Sequence, residues 1–105
     1  MKSIFTSDFN KCAVTHIYRG ARRIECHHVF GGAYRKRSTA YGFVCPLVDV
    51  IHPNGAAANN KECIRLTGRT LKELDLELRQ HCQKYYEEHI GTRERFVSEF
   101  GRNYL

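Results

Sequence analysis

Two hydrophobic periods divide this chain, and together they restrict it to a mixed α+β fold. Ile24-Glu25-Cys26-His27-His28-Val29-Phe30 alternates with period two. As a strand it places Ile24, Cys26, His28 and Phe30 on one face and Glu25, His27 and Val29 on the other. Gly31-Gly32 ends that strand, Tyr34-Arg35-Lys36-Arg37-Ser38 reads as a basic loop, and Gly42-Phe43-Val44-Cys45-Pro46-Leu47 supplies a second strand. The pair predicts a long-looped β-hairpin, with Pro46 at an edge or a strand end because it has no amide hydrogen to donate. Beyond Thr70 the period becomes helical. Thr70-Leu71-Lys72-Glu73 fits a capping box, and Leu71, Leu74, Leu78, Cys82 and Tyr85 follow at spacings of three and four. Gly91 reads as a left-handed C′ residue, and Thr92 as the cap of a last short helix carrying Phe96, Val97 and Phe100. Between these halves, His52-Pro53-Asn54-Gly55 reads as a turn and Ala56 to Leu66 as a short helix that Thr67-Gly68 breaks.

A chain of 105 residues has room for one domain. Its expected parts are an entry segment (1–23), a hairpin-plus-helix core (24–66) and a helical scaffold (70–105). No apolar run approaches the ~20 residues that span a bilayer, so no membrane role is expected. Met1 to Asp8 lacks the apolar stretch of a signal peptide, which places the expected location in the cytoplasm. Five cysteines, an odd number at irregular spacings, then read as reduced thiols rather than a disulfide frame.

Charge separates the halves. The chain carries 17 Lys and Arg against 11 Asp and Glu. Residues 1–47 hold eight of the cations but only Asp8 and Glu25 in opposition, whereas residues 48–105 hold nine of each sign. All of the net positive charge therefore lies in the N-terminal half, the pattern of a surface that meets a polyanion.

The chemistry-bearing residues are histidines. His27 and His28 are neighbours on a strand and project to opposite sides of the pleat, and His52 follows His27 by 25 residues. Such a pair divides labour: one imidazole binds a metal while its neighbour acts as base on a water. The ordinary histidine pKa of about 6.5 suits that base at neutral pH. His52 lies beyond the hairpin, where a folded-back chain brings it to the same metal.

The run His27-His28-Val29-Phe30-Gly31-Gly32-Ala33-Tyr34-Arg35-Lys36-Arg37-Ser38, with Tyr41-Gly42, resembles the HNH-type motif of a nuclease-like family of small phage and prophage proteins. Leu74-Asp75-Leu76-Glu77-Leu78-Arg79-Gln80 resembles the helix these proteins carry. Thr92-Arg93-Glu94-Arg95-Phe96 through Phe100-Gly101-Arg102-Asn103-Tyr104-Leu105 resembles their C-terminus. The likeness covers residues 10–105, with an insertion-like stretch around 61–69. It implies a ββα-metal core that holds one divalent cation (Mg, Mn, Ni or Zn) against a phosphodiester of DNA. His27 and His52 are then the metal ligands and His28 the general base. Arg35, Lys36 and Arg37 hold the phosphate backbone, and Tyr34 stacks on a sugar or base. The same core without catalysis would be a DNA-binding protein of phage recombination, replication or packaging. Three departures stand out. Gly55-Ala56-Ala57 replaces a segment that ends in a further histidine, leaving Asp49, Asn54, Asn59 or water to complete the ligand set. The asparagine usual in the hairpin loop falls at Tyr34 or is absent. Cys12-Ala13-Val14-Thr15 has one cysteine fewer than a zinc knuckle, and leaves Cys12 only Cys26, Cys45 or Cys63 as sulfur partners for a zinc.

Overall fold

The computed structural model describes all 105 residues and is α+β. Strands β1 (Ile24–His28) and β2 (Val44–Val48) pair antiparallel, Ile24 opposite Val48 and His28 opposite Val44. Both are shorter at the turn end than the alternation predicts. Val29 still donates its amide to Phe43 O (3.0 Å), but the Phe30 amide turns away to Ser38 Oγ (3.3 Å). Pro46 sits in the middle of β2 opposite Cys26, which a two-stranded sheet permits because each strand is an edge. Its carbonyl accepts from the Ala13 amide, so the entry segment lies along the open side of β2.

The predicted basic loop is instead a short 3₁₀ turn (Gly32–Tyr34) running into helix α1 (Arg35–Tyr41). Three consecutive cations look solvated in sequence, and they are: Arg35, Lys36 and Arg37 are all exposed. The helix is fixed from its other side. Ser38 is fully buried, its hydroxyl donates to Phe43 O (2.6 Å), and Gly42 closes the last turn in the left-handed region at φ 78°.

Helix α2 runs Asn60–Thr67, four residues later than the predicted start at Ala56. Asn59 caps it by accepting from the Glu62 amide (2.9 Å), and a polar side chain at that point outcompetes the alanines before it. Helix α3 (Leu71–His89) opens on the predicted capping box, with both reciprocal bonds of Thr70 and Glu73 present. Its buried apolar stripe is Leu74, Leu78, Cys82 and Tyr86, a strict spacing of four, with the polar Gln83 buried beside it, so the last anchor is Tyr86 rather than the half-buried Tyr85. Gly91 is not left-handed. A Cβ there would stand 3.1 Å from Arg95 Cδ and 3.3 Å from the Tyr86 ring, so close approach explains the glycine. Helix α4 (Arg93–Phe100) follows the Thr92 cap, and its Phe96 and Phe100 close the core over Phe30, Phe43 and Tyr86. No helix is long and apolar enough to cross a membrane.

The entry segment, though irregular, is bonded to the rest. Ile4 donates to Gly42 O and Asp49 to Arg23 O. All five cysteines are free thiols, as expected; Cys12, Cys45, Cys63 and Cys82 are buried and Cys26 is exposed.

Candidate active site

The end of β1, the turn after it and the segment following β2 enclose a cleft of about 670 Å³. His27, His28 and His52 all line it, as do Tyr34 and Arg35. His52 follows a 3₁₀ turn (Asp49–Ile51) that folds the chain back from β2, well ahead of the α2 start at Asn60. That reversal brings the His52 ring to 5.0 Å from the His27 ring, centroid to centroid, nearly edge-on at 66°. Gly55 makes room for it, since a Cβ there would stand 3.0 Å from His52 Nδ1.

Two carboxylates face these rings. Glu25, two residues before His27 and so on the same side of the pleat, lies 2.7 Å from His52 Nδ1. An ionised carboxylate only accepts, so His52 carries its proton on Nδ1 and, when neutral, keeps its lone pair on Nε2. Arg23 braces Glu25 at 3.2 Å. Asp75, on α3, faces His27: its Oδ1 lies 3.6 Å from His27 Nε2, and its other oxygen lies 3.2 Å from Arg79 Nε. His27 is only 6% exposed. Burial, outweighing Asp75, pushes its pKa below the ordinary value. Burial works against the Asp75 carboxylate, but His27 and Arg79 together hold its pKa below the usual range. His28 is also shifted down, by desolvation first and then by Arg35 and the two other histidines.

The predicted nucleic-acid contacts divide. Tyr34 and Arg35 line the cleft, whereas Lys36 and Arg37 lie outside it, and Arg37 donates to Glu99 O on α4 (2.7 Å). Tyr34 leans on Gly101, whose φ is +90° and whose missing Cβ would stand 2.5 Å from the Tyr34 hydroxyl. Gly101→Ala is expected to cost about 1–2 kcal/mol from the left-handed backbone alone and to push Tyr34 off the cleft wall. Urea unfolding checks the first effect and Tyr34 fluorescence quenching by iodide the second.

For a bound cation the donors are only partly assembled. No three His, Cys, Asp or Glu side chains stand close enough together to hold a metal ion, so Asp49 does not complete such a group, whereas Asn54 lines the cleft beside the histidines. The two histidines nevertheless fit: their rings adjoin in one cleft, and His52 is already held in the tautomer that leaves Nε2 free for a metal. Two imidazoles, one fewer than the three protein ligands of a usual catalytic zinc, leave the remaining coordination positions to water and substrate oxygens.

Sequence reasoning missed Glu25, Asp75, Arg79 and Tyr104. Arg79 and Tyr104 line the same cleft from the helical half. Glu25 was legible, since alternation already put it on the His27 face. Compared with protein-family models, curated proteins and solved structures, the chain matches none.

Proposed function

We propose that this protein is a metal-dependent nuclease of the ββα-metal type that hydrolyses phosphodiesters of DNA. The observation that carries the reading is the meeting of His27 and His52, 25 residues apart in sequence, at 5.0 Å in a cleft that also presents His28 and Arg35. His27 and His52 are the residues that hold the cation. When bound, a divalent cation polarises the phosphate and stabilises charge on the leaving oxygen. His28, on the other side of the pleat, takes the proton of the attacking water. Arg35 pairs with a backbone phosphate and Tyr34 offers a stacking face beside it, contacts that position the substrate without reading its sequence. Lys36 and Arg37 extend the positive surface along α1, outside the cleft.

The incomplete donor set supports a second reading, a DNA-binding protein on the same core that does not cleave. Supercoiled plasmid incubated with Mg²⁺, Mn²⁺, Ni²⁺ or Zn²⁺ separates the two. Nicking that chelation by EDTA abolishes is the expected result. Salt-sensitive plasmid binding with no nicking under any of the four ions overturns hydrolysis in favour of binding alone.

A further inference from the structure

Four buried side-chain polar atoms in this protein complete no hydrogen bond, and three of them adjoin: His27 Nε2, Asp75 Oδ1 and Arg79 Nε, the last meeting Asp75 only as an ion pair at 3.2 Å. Buried orphans are rare because each costs the desolvation of a polar group, so a cluster of them calls for an explanation. Around them the contacts form a line. Tyr104 is pinned to α3 through its backbone, its amide donating to Gln83 Oε1 (2.7 Å) and its carbonyl accepting from Gln80 Nε2 (3.0 Å). Its hydroxyl accepts from Arg79 Nη1 (2.8 Å). The Arg79 guanidinium is flanked by the Phe30 and Tyr104 rings, at 5.5 and 5.4 Å, which fixes its plane. Arg79 holds one oxygen of Asp75, and the other oxygen looks at His27 Nε2 across 3.6 Å.

We infer that Asp75, held by Arg79 and Tyr104, is a positioning residue for His27. It accepts the Nε2 proton, locks the ring and tautomer, and leaves Nδ1 as the only nitrogen with a lone pair to give. The gap closes by a few tenths of an ångström into an ordinary bond, which satisfies two of the three orphans at once. Glu25 does the same for His52 from the opposite nitrogen, so each imidazole has its own carboxylate. Carboxylate-backed imidazoles are the usual form of metal-ligating histidine, because the bond raises the basicity of the free nitrogen as well as aiming it. The second half of the chain, whose charges cancel in sequence, thereby takes part in the site.

The inference rests on the metal-dependent reading for its purpose, but its first test does not. Long-range ¹H–¹⁵N correlation at pH 8, where the low-pKa His27 is neutral, reads the tautomer directly. Protonated Nε2 in the wild-type chain, giving way to a tautomer mixture in Asp75→Ala, is expected. An Nδ1-protonated His27 in the wild-type chain overturns the inference without any variant. Calorimetric titration with Mn²⁺ and with Zn²⁺ then tests purpose. Asp75→Ala should lower affinity about 10- to 100-fold, with Asp75→Asn and Tyr104→Phe losing less. In a His27→Ala background the Asp75→Ala change should add nothing, because it acts through the ring. An equal loss in that background overturns the assignment. Should the tautomer respond to Asp75 while neither ion binds, the positioning role stands and the nuclease reading falls.

Discussion

His28→Ala is expected to lower the metal-dependent nicking rate by roughly 10²- to 10⁴-fold, the range a positioned general base supplies, with little change in the unfolding midpoint. The ring is half-buried at the end of β1 and makes no hydrogen bond to the rest of the protein, so its removal leaves no orphaned partner. The pH profile gives an independent reading of the same residue. Desolvation, then Arg35, His27 and His52, move the His28 pKa down from 6.5, so the neutral, proton-accepting form persists below that pH. Cleavage should therefore fall along an acid limb centred below pH 6.5, as the base becomes protonated. Arg35 is the permanent cation that lowers this pKa, and Arg35→Gln should move the acid limb toward higher pH while weakening plasmid binding. An acid limb centred above pH 7, or a His28→Ala rate within threefold of wild type, would remove His28 from the role of base.

The elements that could be read from sequence are those whose signal is local. The capping box at Thr70 and the cap at Thr92 appear where their residues put them, because a hydroxyl and a free amide settle a helix start between themselves. Alternation at Ile24–His28 likewise gives a strand and sorts Glu25 and His27 onto one side of it. Helix α1 was hidden because its decisive contact is tertiary: Ser38 reaches Phe43, and Arg35, Lys36 and Arg37 carry no apolar stripe. The left-handed Gly42 was the one local clue. Charge counting failed for the site in a different way. Nine cations and nine anions in the second half suggest a balanced, solvated surface, yet balance over a segment says nothing about which ions are drawn inward. Asp75 and Arg79 are one helical turn apart, beside the buried Leu74 and Leu78, so Arg79 lines the cleft and Asp75 stands behind it against His27. The i, i+4 pair next to an apolar stripe was visible; its destination was not.

Phe30→Ala should cost about 3–5 kcal/mol against the total of about 5–15 kcal/mol usual for a domain. Phe30 is 1% exposed, and its ring meets those of Phe43, Phe96, Phe100 and Tyr104, so truncation opens a void between the hairpin, α4 and the C-terminal segment. Those walls belong to three different elements held apart by one another, which limits collapse and places the cost high in the range. The same ring flanks Arg79, and its backbone follows the two histidines of β1, so the void lies directly behind the cleft. Phe30→Leu keeps most of the volume and should lose about half as much stability, but it removes the aromatic face from Arg79. That variant is expected to remain folded while binding Mn²⁺ more weakly, a separation that links core packing to the carboxylate behind His27. Urea unfolding and calorimetric titration measure the two effects side by side. A Phe30→Ala loss below about 0.5 kcal/mol, the scale of a surface change, would mean that the hairpin and the C-terminal helix do not share one core.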